Sequence, residues 1–167
     1  FYIPTENEWY KAAYYSPTLN SGSGGYYKYA TQSNSDPGNV VGSGANQANY
    51  NNGVFSVTQS WSYSSSQNYL TDVGAFTNSA SFYGTFDQSG NVYRWNDLDG
   101  SAGSYRGLRG GSLDLNEFYL SSSNRNEYAP SLEINNIGFR LASPVAVPEP
   151  STWVMGLAGI ACAGWGT

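Results

Sequence analysis

The sequence contains no histidine and only one cysteine, Cys162. Histidine is the commonest general base in enzymes and the commonest side-chain metal ligand, so both kinds of site lose their usual residue. A single cysteine has no partner with which to form a disulfide inside the chain. These absences exclude an intrachain disulfide and a histidine-based active site from the residues given.

Charged side chains are also scarce, at 11% of the 167 residues. Lysine and arginine together number 7, aspartate and glutamate number 12, and the net charge is −5. Nucleic-acid binding requires a basic face, so no nucleic-acid partner is expected. The length is sufficient for one domain and a tail.

Tyrosine and glycine are abundant, with 15 and 20 residues respectively. Together with the many serines and asparagines they favour an irregular, loop-rich fold, and such surfaces suit sugar or peptide binding. A disordered chain would have few large aromatic residues, so their number here indicates a folded domain. Residues 19–67 accordingly predict ordered loops with short strands rather than a linker.

A capping box at Thr5 and Glu8 predicts a helix over residues 6–15. Trp9 lies on the apolar face of that helix. Glu6 and Glu8 could instead be paired catalytic carboxylates. Acidic residues stabilise the first turn of a helix, and this favours the structural interpretation.

Residues 87–91 form a polar turn between two aromatic clusters. Gly90 can adopt a positive φ without strain. Val92, Tyr93 and Trp95 then predict a short strand. An oxygen-rich turn of this kind can hold a hard cation such as Ca²⁺, and an ordinary turn before a strand is the alternative.

Four motifs follow one another in the chain: Ile3-Pro-Thr-Glu-Asn-Glu-Trp9, Gly90-Asn-Val-Tyr-Arg-Trp95, Leu108-Arg-Gly-Gly-Ser112 and Ile137-Gly-Phe-Arg140. Their order and sequence resemble the formylglycine-generating-enzyme family, also called the sulfatase-modifying-factor domain. The resemblance implies an α+β, irregular, loop-rich, C-type-lectin-like fold with one N-terminal helix and short strands. The family domain extends upstream of the first motif, so we expect residues 1–143 to be this domain with its N-terminal part missing.

The resemblance also implies two calcium sites, with ligand positions at Asp87, Gly90, Val92 and Asn49. Residues 64–68, where further ligands of the Asn49 site would lie, contain no carboxylate. Arg94 stands where the family has a glutamate, and arginine offers no acceptor atom to a cation. We hypothesise that the Arg94 guanidinium replaces the ion and answers the charge on Asp87.

The family's two copper-binding cysteines fall, by resemblance, on Leu115 and Leu120. Neither side chain can bind copper(I), which selects soft thiolate ligands. Another branch of the family uses a histidine-ligated iron, which these residues cannot supply. No catalytic residue and no copper are therefore expected, and calcium is the cofactor that the sequence leaves open.

The family's substrate groove is, by resemblance, lined or flanked by four residues: Tyr93, Ser112, Arg125 and Asn136. Hydrogen bonding within loops is the alternative role for Ser112 and Asn136. For Arg125 and Arg140 the alternative is a structural ion pair or a clamp on carbonyl groups. A closing strand is predicted over residues 137–142, with Ile137, Phe139 and Leu141 alternating inward.

The composition changes after Ser143. Residues 144–150 predict a proline-rich linker, and residues 151–167 predict a truncated transmembrane segment, with a buried helix as the alternative. The Pro148-Glu149-Pro150 element before an apolar run resembles a PEP-CTERM sorting signal. Such a signal implies an exosortase-type processing enzyme as partner, export in a Gram-negative-type bacterium, transient anchoring in the membrane through the C terminus, and release to the cell surface or extracellular space.

Two functions from different classes follow from these observations. The first is an exported, catalytically silent domain that binds exopolysaccharide or peptide at the surface or in the extracellular matrix. The second is an oxidoreductase of the formylglycine-generating type with non-standard chemistry in the same groove. The missing cysteines and histidines favour the first, and a purely structural surface protein is a third option.

Overall fold

A computed structural model describes residues 1–100, 103 and 105–144 of the chain. The N-terminal helix α1 spans Glu6–Tyr14. Its predicted capping box is confirmed, because the Glu8 N–H donates to the Thr5 hydroxyl (3.4 Å) and the Thr5 N–H donates to the Glu8 carboxylate (2.9 Å). The helix ends one residue earlier than predicted because Tyr15 adopts an extended backbone and begins a strand.

A two-stranded antiparallel sheet follows the helix. β1 (Tyr15–Ser16) pairs with β2 (Gly25–Tyr26), and a single helical turn, α2 (Leu19–Gly22), lies between them. Asn20 and Ser21 have left-handed backbone angles in that turn, with φ of 52° and 57°. Asparagine tolerates this region because its side chain can bond to nearby backbone, which lets the chain reverse direction within a few residues.

The second sheet has four short strands in the order β5–β4–β3–β6. They are β3 (Tyr93–Asn96), β4 (Arg106–Arg109), β5 (Asn126–Tyr128) and β6 (Ile137–Gly138), and a 3-10 helix covers Glu117–Leu120. β3 is antiparallel to β4 and parallel to β6. The predicted strand after the Gly90 turn is therefore a central strand, buried along most of its length.

The predicted closing strand is shorter than expected. Ile137–Gly138 forms β6, and an isolated bridge joins Ala142 to Tyr2. Phe139 and Leu141 are 63% and 56% exposed, so the predicted inward alternation is wrong. Pairing with β3 extends over two residue pairs, and past it no layer among the described residues covers these side chains. Phe139 instead lines an open cavity beside Tyr2.

Residues 27–92 are held by side-chain hydrogen bonds and by isolated bridges between loops. The amide nitrogen of Asn39 donates to the Val54 carbonyl at 2.8 Å, and the Tyr50 hydroxyl donates to the Pro37 carbonyl. Tyr29, Tyr50, Ala48 and Leu120 form one buried cluster. The loop-rich character predicted from the composition and the α+β fold implied by the family resemblance are confirmed.

Arg109 joins helix α1 to the four-stranded sheet. Its guanidinium donates to the Glu6 carboxylate at 2.6 Å and to the carbonyls of Ser122 and Asn124 at 2.8 and 2.7 Å. It also lies 4.9 Å from the centre of the Tyr10 ring. Glu6 therefore has a structural partner, in keeping with the interpretation of the first-turn carboxylates as structural.

The remaining sequence predictions concern the end of the chain. Residues 145–167, which include Pro148, Glu149 and Pro150, lie outside the described residues. Within the ranges 1–100, 103 and 105–144, every helix is too short to qualify as a bilayer-spanning segment.

Candidate functional site

The turn that precedes β3 packs closely against a second loop. Gly90 has a φ of 74°, and a Cβ at this position would overlap the carbonyl oxygen of Asn49. The Asn91 N–H donates to the same carbonyl at 2.7 Å. The Asp87 carboxylate accepts from the Gly74 N–H at 2.8 Å. Glycine is required here for both its conformation and its lack of a side chain.

Arg94 extends from β3 back into this turn. Its Nη1 donates to the Gly90 carbonyl at 2.6 Å and also to the Val92 carbonyl. The residue is 3% exposed. Burial lowers the pKa of Arg94 to about 9, with a further lowering by Arg140 and an opposing effect of Asp87. At neutral pH the guanidinium is charged, and it donates to one buried and one partly buried carbonyl group.

Asn49 has a structural role beside the same turn. Its amide nitrogen donates to the Tyr69 carbonyl at 2.9 Å and to the Asn91 side-chain oxygen at 3.0 Å. The residue is 2% exposed, and its backbone forms a bridge with Gly90. Asn49 therefore ties three loops together and offers its nitrogen, not its oxygen, to its neighbours.

A cleft of about 520 Å³ opens beside β3, and we call it the Tyr93 cleft. It is lined by Tyr93, Leu108, Leu115, Tyr119, Asn126, Tyr128, Leu132, Ile134, Asn136 and Ile137. The Tyr93 hydroxyl accepts from the Asn126 amide at 2.9 Å. Burial raises the pKa of Tyr93 to about 12, although the Asn126 hydrogen bond acts in the opposite sense. The phenol is therefore neutral at physiological pH and serves as a hydrogen-bonding group.

The two leucines that fall, by resemblance, on the family's cysteine positions occupy different environments. Leu115 lines the Tyr93 cleft. Leu120 is fully buried in the cluster with Tyr29 and Tyr50, and its carbonyl accepts from the Tyr14 hydroxyl at 3.1 Å. Position 115 is thus part of a surface that a ligand can reach, whereas position 120 is part of the core.

A second cleft of about 490 Å³, the Tyr63 cleft, shares Asn136 with the first. It is lined by Phe55, Tyr63, Gln67, Asn68, Tyr69, Leu70, Leu113, Asp114, Asn135 and Asn136. The lining combines aromatic rings with amide and carboxylate groups. We refer to the two clefts together as the groove.

The carboxylate of Asp114 bonds to two of the predicted groove residues. It accepts from the Ser112 hydroxyl at 2.5 Å and from the Asn136 amide nitrogen at 3.4 Å. Ser112 is fully buried and acts behind the surface, by orienting Asp114. Asn136 lines both clefts, and Tyr93 lines one of them. The structure thus brings Tyr93, Asn136 and, through Asp114, Ser112 to one groove.

Arg125 lies in a different place from the other three. It forms ion pairs with Glu6 (3.4 Å) and with Glu127, and it lines a separate cleft of about 360 Å³ beside Asn7 and Leu98. These contacts agree with the alternative of a structural ion pair. A further cavity of about 570 Å³, between Tyr2 and Phe139, contains none of the predicted groove residues.

Comparison with known proteins identifies the family. The model of the sulfatase-modifying factor enzyme 1-like domain matches residues 1–145. The chain belongs to this family. No curated protein is significantly similar to the chain.

Solved structures are consistent with that family fold. CarF is similar at a TM-score of 0.56 with 24% identity, over 87% of this chain and 47% of CarF. Treponema denticola variable protein 1 and PvdO from Pseudomonas aeruginosa each give a TM-score of 0.48, at 21% and 22% identity, over 83% of this chain and 45% and 50% of theirs. The chain spans about half the length of these structures, and the likeness to CarF shows the fold.

The residues of this sulfatase-modifying-factor-type domain do not fit the calcium ion that the family resemblance implies. Arg94 donates to the Gly90 and Val92 carbonyls, and so uses the two backbone oxygens that the ion would need. No ion pair joins Arg94 to Asp87 among the described side chains, but the charge of Asp87 favours the charged guanidinium. The hypothesis that Arg94 replaces the ion and answers the charge on Asp87 stays a prediction. Within the described part of the chain, no group of three or more Asp, Glu, His or Cys side chains is placed to hold a metal.

The groove of the domain does not fit copper(I) either. The lining residues of both clefts include no thiol, thioether or imidazole group among the described residues. Copper(I) prefers such soft ligands, and the side chain at the accessible family position is that of Leu115.

Two residues that supply the groove with its carboxylate and its most exposed ring were not predicted from the sequence. Asp114 supplies its carboxylate, and Tyr63 supplies its most exposed aromatic ring. The nearness of Asp114 to the Gly-Gly-Ser element was a usable signal. Tyr63 lies in a serine-rich stretch without periodicity, and nothing in that stretch distinguishes it from neighbouring aromatic residues.

Proposed function

We propose that this domain binds an extended glycan or peptide in its groove without altering it chemically. One observation carries the proposal: the groove is open and carries polar side chains beside apolar ones, yet the accessible position that matches a family cysteine is Leu115. The groove therefore has hydrogen-bonding groups for a ligand, from Asp114, Asn126 and Asn136, whereas its described lining has no thiol or imidazole that could bind a redox metal.

We further propose that the domain works outside the cell, at the surface or in the extracellular matrix. This rests on the sequence of residues 144–167, whose proline-rich and apolar segments resemble an exosortase-dependent sorting signal. An exosortase-type enzyme would then be its processing partner, and the membrane would be contacted through the C-terminal anchor.

A copper titration with oxygen uptake tests the absence of catalysis. The purified chain is mixed with copper(I) and a cysteine-containing peptide, and we expect neither stoichiometric copper binding at the groove nor oxidation of the peptide. A Cys162→Ser variant serves as the matched control, because Cys162 could bind copper by itself. Thiol turnover that persists in this variant would support the oxidoreductase alternative and overturn the proposal.

A glycan and peptide array tests the binding function. Selective binding of either class supports the proposal. A correctly folded chain that binds neither class would instead support a purely structural surface protein.

A further inference from the structure

The most exposed ring of the groove belongs to Tyr63, which is 69% exposed. It stacks on Tyr69 with ring centres 5.5 Å apart and an angle of 18° between the planes. Phe55 packs tilted against both rings, at 6.1 Å from Tyr63 and 4.5 Å from Tyr69. Because Tyr69 covers one face of the Tyr63 ring, the rest of this ring is presented to solvent at the mouth of the cleft.

The backbone on each side of Tyr63 is fixed by a single hydroxyl group. The Ser64 N–H donates to the Tyr69 hydroxyl at 2.9 Å, and that hydroxyl donates to the Ser62 carbonyl at 3.3 Å. A ligand that contacts Tyr63 therefore meets a ring held in place before binding. Preorganisation of this kind lowers the entropic cost of association.

The lining of the cleft also includes planar polar groups. Asp114 is oriented by the Ser112 hydroxyl, and Asn135 is exposed beside it. The Asn68 oxygen accepts from the Leu70 N–H at 3.0 Å, which leaves its amide nitrogen unbonded within the described part of the chain. Carboxylate and amide groups together offer acceptors and donors to a ligand with many hydroxyl groups.

The charge of the cleft restricts the ligand further. Asp114 is the charged residue of the lining, and the described lining includes no lysine or arginine. A uronate, sulfate or phosphate group would meet a carboxylate with no cation to offset the repulsion. The net charge of −5 on the whole chain acts in the same direction.

The backbone of the cleft argues against an extended peptide. Peptides that bind in extended form commonly pair with the exposed edge of a strand. No residue of β1–β6 lines the Tyr63 cleft in the described structure, since its walls are loops. The affinity must therefore come from side chains, as suits a ligand that has an apolar ring face and a rim of hydroxyl groups.

We propose that the Tyr63 cleft binds a neutral hexose unit of a polysaccharide, with its apolar face on the Tyr63 ring and its hydroxyls bonded to Asp114 and to the amides of Asn68 and Asn135. This inference rests on the proposed binding function and names the ligand class for it. The acidic lining selects neutral sugars against uronic acids and sulfated sugars.

Calorimetry with neutral gluco- and manno-oligosaccharides, and with uronic-acid oligosaccharides of equal length, tests the inference on the whole chain. We expect binding of a neutral series and none of the uronic series. Tyr63→Ala should weaken neutral-sugar binding by about tenfold or more, and Tyr63→Trp should retain it. Trp61→Ala is the matched control, because Trp61 is 80% exposed, lies two residues away and does not line the cleft.

Asp114→Asn keeps the shape of the side chain and removes its charge, so it should relax the discrimination against uronic acids. Circular dichroism and the melting temperature should be unchanged in Tyr63→Ala, since the ring is mainly exposed.

The outcomes separate this inference from the proposed function. Preference for uronic acids, or neutral-sugar binding that Tyr63→Ala leaves intact, would overturn the hexose inference. Binding of peptides alone would also overturn it while leaving the proposed function in place. Oxidation of a bound ligand would overturn the proposed function, even if neutral sugars bind as expected.

Discussion

The turn before β3 and the Tyr63 cleft are both built from loops, yet they differ in what happens to their polar groups. In the turn, Arg94 satisfies the Gly90 and Val92 carbonyls and is almost fully buried. In the cleft, Asp114 and Asn68 remain at the surface with bonding capacity to spare. A polar group with its partner inside the protein stabilises the fold, whereas one facing solvent is available to a ligand. From this comparison we infer that the polar groups of the turn stabilise the fold, and that those of the cleft serve the proposed binding function.

Arg94→Ala should give the largest loss of stability. Removing the guanidinium leaves the buried Gly90 carbonyl and the partly buried Val92 carbonyl without this donor, and we expect a loss of about 2–4 kcal/mol in the free energy of unfolding. Asn135→Ala in the cleft should change it by about 0.5 kcal/mol or less, because that side chain is exposed. Urea denaturation of both variants measures the difference, and equal losses would remove the distinction between the two regions.

Arg94→Glu should convert the turn into a calcium-dependent one. The unmodified chain should keep the same melting temperature with calcium or with a chelator. The variant should be destabilised in chelator and should gain about 5–10 °C when calcium is present at 100 times its dissociation constant.

Lys11→Glu is the matched control for this experiment, because it reverses an exposed charge on helix α1, outside the turn, and should show no calcium response. A clear rise in melting temperature of the unmodified chain on adding calcium would refute the prediction.

Cysteines placed at positions 115 and 120 should distinguish groove from core. In a Cys162→Ser background, Leu115→Cys should react rapidly with a thiol reagent in the native protein, since Leu115 lines the Tyr93 cleft. Leu120→Cys should react only on unfolding and should cost about 1–3 kcal/mol of stability, because Leu120 is fully buried. Similar labelling rates at the two positions would show that the core around Leu120 opens in the native state.

The smallest expected effect concerns acid stability at the helix cap. The Tyr2 hydroxyl and the Thr5 backbone N–H lower the pKa of Glu8 below its ordinary value of 4.5. A carboxyl group with a lowered pKa stabilises the folded state above its ordinary pKa, and this contribution is lost as the pH falls through the lowered value. Glu8→Gln keeps the capping box and removes the titration.

Thermal melts between pH 6 and pH 3 measure this contribution. The unmodified chain should lose about 1–2 °C more than Glu8→Gln over that range. The site is exposed, and for that reason the expected shift is small.

Local signals in the sequence were sufficient for the elements that depend on neighbouring residues. The cap of α1 follows from Thr5 and Glu8, three residues apart, and the turn before β3 follows from Gly90. The unsuitability of Arg94 as a cation ligand follows from its chemistry alone.

Contacts between distant loops could not be predicted in the same way. The hydrogen bonds of Arg109 to Glu6 and to the Ser122 carbonyl join segments that are far apart in the chain. No periodic pattern in the sequence predicts such bonds. Tyr69 positions Tyr63 by packing between loops, and contacts between loops produce no hydrophobic periodicity in the sequence. The inward alternation predicted for Ile137, Phe139 and Leu141 was wrong because β6 is only two residues long. Beyond it, Phe139 and Leu141 have no layer among the described residues against which to pack.

Arg94 has a consequence for the surroundings in which the domain can persist. A guanidinium attached by covalent bonds has a fixed local concentration, whereas a dissolved ion must be supplied by the medium. We therefore expect the conformation of this turn to be independent of the concentration of divalent cations in the medium, because the Gly90 and Val92 carbonyls bind a side chain of the protein itself.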